Sequence, residues 1–296
     1  MNWNDIYRPK LLADIRGQSI TTSIISRQLA DNKLPKVYIF VGGNGRGKTS
    51  LARIVARELG VENPIEVNAA VTNSVDDIRA LNEDANYLSF DGGMKVYIID
   101  ECSHITKQGW MAALKLLEEP PENVLFIFCT TELQKLPPAI LSRSQVFYLQ
   151  PVSTDEIVEQ LGIICNDQEI EFDVEALQYL AKGCMGSMRE AIQKLEQVAI
   201  LGGISLEAVK KVLPDLDLFS DILLNRNTSR ISELANNSVS IDALVKEALV
   251  LANDGKFSRK IAIGLVKLRP LLSTPFDPEV IRCFLDGAFS SEVENG

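Results

Sequence analysis

The apolar and polar positions fall into two patterns along the 296 residues. In the first half, short continuous apolar runs rich in β-branched and aromatic residues stand at 37–41, 65–68, 95–99, 124–129 and 146–149. Such runs read as strands buried on both faces. Between most of them lie stretches with helical spacing. One covers about 19–30, a second 50–59 through Leu51, Ile54, Val55 and Leu59, and a third carries Ile78, Leu81 and Ala85 behind a Ser74 cap. A fourth runs from a Thr106 cap through Trp110, Leu114 and Leu117 to Pro120-Pro121. Strands separated by helices predict a largely parallel five-stranded α/β sheet covered on both faces. From Pro151 the pattern turns wholly helical. Ser153 or Thr154 caps a helix bearing Ile157, Leu161 and Ile164, and Asp173 caps one bearing Leu177 and Leu180. Others follow at 188–195, 206–213, 241–251, 257–268 and 279–289. Three regions are expected: an α/β domain over 1–150, a small helical domain over 151–214, and a helical C-terminal region over 215–296.

The chemistry begins where the first strand ends. Gly42-Gly43-Asn44-Gly45-Arg46-Gly47-Lys48-Thr49 fits the phosphate-binding pattern G-x-x-x-x-G-K-[ST], and Ser50 leads into the helix. Glycines let successive backbone N–H groups curl around an anion, and the following helix N-terminus adds partial positive charge. A glycine-rich turn without a ligand is the competing reading, but strand, loop and helix are the context the motif needs. Lys48 is placed to reach the β- and γ-phosphates and the Thr49 hydroxyl to hold Mg²⁺. The third strand ends in Asp100-Glu101, the usual complement of such a loop: Asp100 for Mg²⁺, Glu101 to orient and deprotonate a water. Thr130-Thr131, ending the fourth strand, offers a hydroxyl for that water or for the γ-phosphate. Trp110 reads as core and His104 as structural. Tyr7-Arg8-Pro9 opens a polar segment reaching Gly17-Gln18, either a strap over a nucleotide base with Tyr7, Pro9 and Ile15 as apolar cover, or an ordinary surface arm.

Composition narrows the picture. Five cysteines without a C-x-x-C pair suit a reducing cytosol and offer neither a disulfide framework nor a zinc site. The lone histidine excludes chemistry built on several imidazoles. No apolar run approaches a membrane span and the N-terminus is no signal peptide, so a cytoplasmic chain is expected. The net charge of −10 lies mostly beyond residue 150: 1–150 carries 16 basic and 17 acidic residues, 151–213 carries 5 and 11. Any nucleic-acid contact must therefore come from a local stripe in the first part.

Together these residues resemble the AAA+ ATPase subunits of sliding-clamp loaders, most closely the bacterial tau/gamma group. The likeness is carried by Tyr7-Arg8-Pro9, Gly17-Gln18, the phosphate loop, Lys95-Val96-Tyr97-Ile98-Ile99-Asp100-Glu101 and Leu114 through Glu122. It continues through Thr130-Thr131, Gln134-Lys135-Leu136-Pro137, Ile140-Leu141-Ser142-Arg143 and Gly186-Ser187-Met188-Arg189, covering about 1–205. The resemblance implies a P-loop AAA+ sheet domain, a helical lid and a helical collar. It implies ATP and Mg²⁺ as cofactors and Tyr7, Arg8 and Pro9 beside the nucleotide. It further implies Arg143 as an arginine finger for a neighbouring subunit, Thr131 as sensor 1, Arg189 as sensor 2 and Asn68 as a polar switch restraining Glu101. Lys107, Arg79 and the helix starts at Ser74 and Thr106 become candidates for tracking DNA. The implied partners are a sliding clamp, like and unlike subunits in a pentameric ring, and primer–template DNA. Ser144 replaces the cysteine of the S-R-C motif, and 61–94 lacks the four-cysteine zinc module of bacterial members. A short form such as a phage-encoded subunit fits these departures. Two other readings stay open: a different AAA+ DNA motor or loader, and a nucleotide-binding scaffold subunit that never hydrolyses.

Overall fold

The computed structural model describes residues 2–87, 93–213, 216–236, 241–253, 255–268 and 278–294. Its contacts divide the chain into two compact units, Met1–Ile204 and Ser205–Gly296.

The first unit is built on five parallel strands: β1 (Val37–Val41), β2 (Ile65–Asn68), β3 (Lys95–Asp100), β4 (Val124–Thr130) and β5 (Gln145–Tyr148). They lie in the order β2-β3-β4-β1-β5. β4 is thus inserted between β1 and β3, so the C-terminal ends of these three strands share one edge. The strand order reverses there, which is where open α/β sheets leave a ligand crevice. β5 begins at Gln145, one residue before its apolar run, because Gln145 pairs in register with Tyr38 and meets Gln28 at 2.7 Å.

The helices of this unit are α1 (Trp3–Ile6), α2 (Ser19–Ala30), α3 (Lys48–Glu58), α4 (Val75–Asn86), α5 (Lys107–Glu118), α6 (Pro138–Leu141), α7 (Thr154–Asp167), α8 (Val174–Gly183) and α9 (Met188–Ala199). The inner strands are buried on both faces, which explains their continuous rather than alternating apolar runs. On one face Ile39, Ile99, Phe126 and Phe128 pack with Ile78 of α4 and Trp110 of α5, the indole 5.3 Å from the Phe128 ring. Trp110 is 2% exposed, a core residue. On the other face Tyr38, Phe40, Ile98 and Ile127 pack with Leu51, Ile54 and Val55 of α3 and Ile25 of α2. Ser74 closes a reciprocal capping box with Asp77, and Thr106 accepts from the Gly109 N–H.

The lid helices α7–α9 bury Ile157, Leu161, Ile164, Leu177, Leu180 and Leu195. Ser153 caps α7 in a box with Glu156. Asp173 occupies the α8 cap position but its side chain makes no cap hydrogen bond. The N-terminal segment ties the sheet to the lid. Gln18 exchanges hydrogen bonds with the Gln150 backbone (2.7 and 3.0 Å), the Gly17 N–H donates to Glu156 (2.9 Å), and Arg16 pairs with Glu159 (3.2 Å).

The second unit contains α10 (Leu206–Val212), α11 (Leu216–Leu224), α12 (Ile231–Asn236), α13 (Ile241–Asn253), α14 (Arg259–Leu268) and α15 (Pro278–Glu294). The division thus falls before the expected 214/215 boundary and assigns α10 to the second unit; Pro214 lies outside the described residues. Phe219, Ile222, Leu244, Ala248, Leu265 and Leu285 are buried, and Arg230 bridges Asp221 and Glu233 at 2.9 and 2.8 Å.

Candidate nucleotide site

The phosphate loop leaves β1 with the Gly42 N–H donating to the Thr130 carbonyl (3.1 Å), which aligns it with the end of β4. Gly45 (φ +74°) and Gly47 (φ +93°) take the left-handed conformation that glycine adopts without steric cost. A Cβ on Gly45 would stand 2.1 Å from Ser187 Oγ and 3.1 Å from Arg189 Cβ, so the start of α9 lies directly against the loop. Gly42 and Gly43 sit behind the cavity, the first against Leu149 and the second under the Arg46 guanidinium.

Lys48 is 6% exposed, and its ammonium donates to the Gly42 and Gly43 carbonyls at 2.8 and 3.2 Å. Burial holds this amine below its ordinary value and Arg189 acts in the same direction, while Glu101 and Asp100 oppose them. Thr49 donates to Asp100 Oδ2 at 2.7 Å. The Glu101 N–H donates to Asp100 Oδ1 at 3.0 Å, and Glu101 itself holds a left-handed backbone (φ 51°). For a residue with a Cβ that conformation costs on the order of 1–2 kcal/mol.

These groups open onto a cavity of about 550 Å³, within the range of small-molecule sites. Asn44 through Ser50, Asp100 and Glu101 form its floor; Tyr7, Arg8, Pro9 and Ile15 form one wall; Arg189, with Met188 and Ile192, forms another. The Tyr7 hydroxyl donates to Asp167 (2.5 Å) and accepts from Gln168 (2.6 Å) at the end of α7, and the Trp3 N–H donates to Glu196 of α9 (3.3 Å). The N-terminal segment is therefore a strap held by the lid. Gln160 and Ile163, one α7 turn apart, also line the cavity. No motif marks these two, although their spacing on a helix rich in acidic residues was available. Ser187 is another contributor whose contact with Gly45 no sequence pattern reveals.

Three expected site residues lie elsewhere. Thr131 is exposed; its neighbour Thr130 is fully buried, with its hydroxyl accepting from the Glu132 N–H (2.9 Å). Asn68 stands opposite Asp100 in the β2–β3 ladder, but its side-chain oxygen accepts from the Ala70 N–H (2.9 Å). No hydrogen bond joins it to Glu101 among the described residues. Arg143 lies outside the cavity, paired with Glu118 of α5 at 3.1 Å. His104 is exposed.

The oxygen donors suit a hard cation. Mg²⁺ is bound through one or two carboxylates plus substrate phosphates rather than by an all-protein cage. Thr49 and Asp100, already in contact at the foot of the loop, supply that set, and no group of three or more metal-binding side chains occurs among the described residues.

A parallel sheet of this order, a phosphate loop after β1, an acidic pair after β3 and a helical lid against the loop define a P-loop protein of the AAA+ class. Comparison with known proteins narrows it. A family profile described as "DNA polymerase III, delta subunit" matches 67–153, and one described as "DNA polymerase III clamp loader subunit, ATPase lid domain" matches 156–203. The chain is 32% identical to the DNA polymerase III subunit gamma of Buchnera aphidicola subsp. Baizongia pistaciae, over 79% of this chain and 69% of that one. It is 32% identical to the DNA polymerase III subunit tau of Escherichia coli K12, over 89% of this chain and 45% of that one. The chain therefore belongs to the gamma/tau family of DNA polymerase III clamp-loader subunits. It spans less than half the length of the tau relatives it matches. Among solved structures it shares its fold with the Thermotoga maritima RuvB Holliday junction branch migration motor, with a TM-score of 0.61 and 21% identity over 81% of this chain and 84% of that one.

Proposed function

We propose that this chain is an ATP-hydrolysing subunit of a sliding-clamp loader, acting in the cytoplasm within a pentameric ring of like and unlike subunits. ATP binding organises the ring to grip and open the clamp, and primer–template DNA triggers hydrolysis, closing and releasing it. Residues 1–150 serve as the nucleotide-binding domain, 151–214 as its lid and 215–296 as the oligomerising collar.

In this reading the loop N–H groups and Lys48 hold the phosphates. Lys48 is prepared for this: its ammonium leaves the Gly42 and Gly43 carbonyls for a phosphate oxygen, exchanging neutral acceptors for an anionic one. Tyr7, Arg8 and Pro9 flank the base, and Arg189 reaches the γ-phosphate from the lid. Glu101 takes the proton of the attacking water. Thr49 and Asp100 would hold Mg²⁺, which would supply positive charge against the phosphates. Arg143 supplies a further positive charge to the pocket of the next subunit.

One observation supports this reading above the rest: the cavity gathers the phosphate loop, both carboxylates, the strap and Arg189, while Arg143 stands outside it on the surface. A pocket that lacks that guanidinium is expected to bind ATP alone and to turn it over slowly. In related systems a guanidinium supplied in trans is worth ~10³–10⁵ in rate. The same complement disfavours an inert scaffold, because Lys48, Thr49, Asp100 and Glu101 are all present and line one cavity. The test replaces Glu101 with Gln and measures ATP turnover with clamp and primed DNA. Retained ATP binding with turnover lost is expected, and unchanged turnover overturns the assignment.

A further inference from the structure

Arg143 follows α6, a single helical turn, at the surface of the first unit. An arginine there would sample many rotamers, yet its guanidinium is held at three points. Nη1 donates to the Ala139 carbonyl (2.9 Å) and to Ser142 Oγ (3.3 Å), and Nη2 meets Glu118 Oε1 at 3.1 Å. The first two contacts are local, within the same turn. The third comes from the last residue of α5, a separate element that packs beside α6. The remaining guanidinium N–H groups are left for another acceptor.

We propose that Glu118 positions Arg143 for the neighbouring pocket; this rests on Arg143 acting in trans, as argued above. The pair is open to water, with side chains 48% and 41% exposed, so it is too weak to sequester the arginine from a phosphate, which carries more charge and more acceptor oxygens. A pair of that strength selects a rotamer and does not lock it. A guanidinium already aimed loses less freedom when it engages, and misplacement by about an ångström can cost on the order of 10²-fold in rate. Glu118 also lies at the far end of α5, which begins at Lys107, six residues after Glu101. The twelve residues of α5 span about 18 Å and bury Trp110, Ala113, Leu116 and Leu117, so Glu118 is carried on a rigid element.

The experiment uses the complex the chain forms with the subunits that co-purify with it, carrying Glu118→Ala, Glu118→Gln, Arg143→Ala, or Glu118→Ala with Arg143→Ala. ATPase kcat and KM and the melting temperature of each chain are measured. For Glu118→Ala a kcat loss of about 10-fold is expected, with KM and melting temperature at the wild-type values. Glu118→Gln, which keeps the acceptor oxygen, should recover part of the rate. The double variant should be no slower than Arg143→Ala alone, because Glu118 has nothing left to position. Wild-type or raised kcat in Glu118→Ala beside a crippled Arg143→Ala overturns this inference and leaves the trans arginine standing. So does a double variant well below Arg143→Ala. Wild-type kcat in Arg143→Ala itself removes the reading on which the inference rests.

Discussion

Gly45→Ala is the sharpest structural test of the contact between lid and phosphate loop. At φ +74° an alanine costs ~1 kcal/mol more than glycine. Its Cβ would stand 2.1 Å from Ser187 Oγ, far inside contact distance, so the hydroxyl must move. That hydroxyl caps α9 by accepting from the Glu190 N–H at 3.2 Å, and losing a cap costs ~1 kcal/mol. The sum, ~2 kcal/mol, falls on the closed arrangement in which Arg189 faces the cavity, and corresponds to a ~30-fold loss of ATP affinity. Calorimetric titration of the purified chain with a non-hydrolysable ATP analogue reads this directly. Ser187→Gly removes the clashing group and, as a cap, costs only a few tenths of a kcal/mol. Gly45→Ala with Ser187→Gly should therefore bind within ~10-fold of wild type, keeping the backbone term and the 3.1 Å approach to Arg189 Cβ. Wild-type affinity in Gly45→Ala, or a loss that Ser187→Gly does not relieve, refutes the reasoning.

Other expectations follow from single contacts. Thr49→Val removes the hydroxyl 2.7 Å from Asp100, so the gain in ATP affinity conferred by Mg²⁺ should vanish while metal-free binding stays near wild type. Titrations with and without the metal check this. The Glu156 carboxyl is held below its ordinary value by the Ser153 hydroxyl first, then by the Gly17 and Ser153 N–H groups and Arg16. Its folded form therefore binds a proton less readily than the unfolded chain. The resulting stability is present above the unfolded value of ~4.3 and is lost as pH falls through the lower folded one. Glu156→Gln should flatten that part of the stability curve, and acid denaturation profiles that superimpose would contradict the assignment.

Local signals in this chain were legible and long-range ones were not. The five strands declare themselves because burial on both faces leaves no polar position to blur the run, and β5 slipped by one residue where Gln145 entered the ladder. The phosphate loop and Asp100-Glu101 were readable because their chemistry demands particular residues at fixed spacing from a strand end. Local reading offered either Thr130 or Thr131, and only the resemblance singled out Thr131; the fold shows Thr130 buried as the last residue of β4 and Thr131 exposed just beyond it. The Tyr7–Asp167 and Gly17–Glu156 bonds join residues more than a hundred positions apart, so no local pattern shows that the N-terminal segment ties the sheet to the lid. Glu118 looked like the acidic end of a helix before Pro120, and only the packing of α5 beside α6 gives it Arg143 as a partner.

The central claim is that each pocket is completed by a guanidinium from the adjacent protomer, and mixing tests it most directly. Chains carrying Arg143→Ala, each with an intact Lys48 pocket, are combined in increasing proportion with Lys48→Ala chains that retain Arg143, in the presence of the co-purifying subunits. Neither preparation alone should turn over ATP appreciably. Turnover should appear on mixing and peak at intermediate ratios, as defective arginines and defective pockets complement across the interface. Flat, background turnover at every ratio in complexes shown to assemble, or full turnover by Arg143→Ala chains alone, would contradict the account.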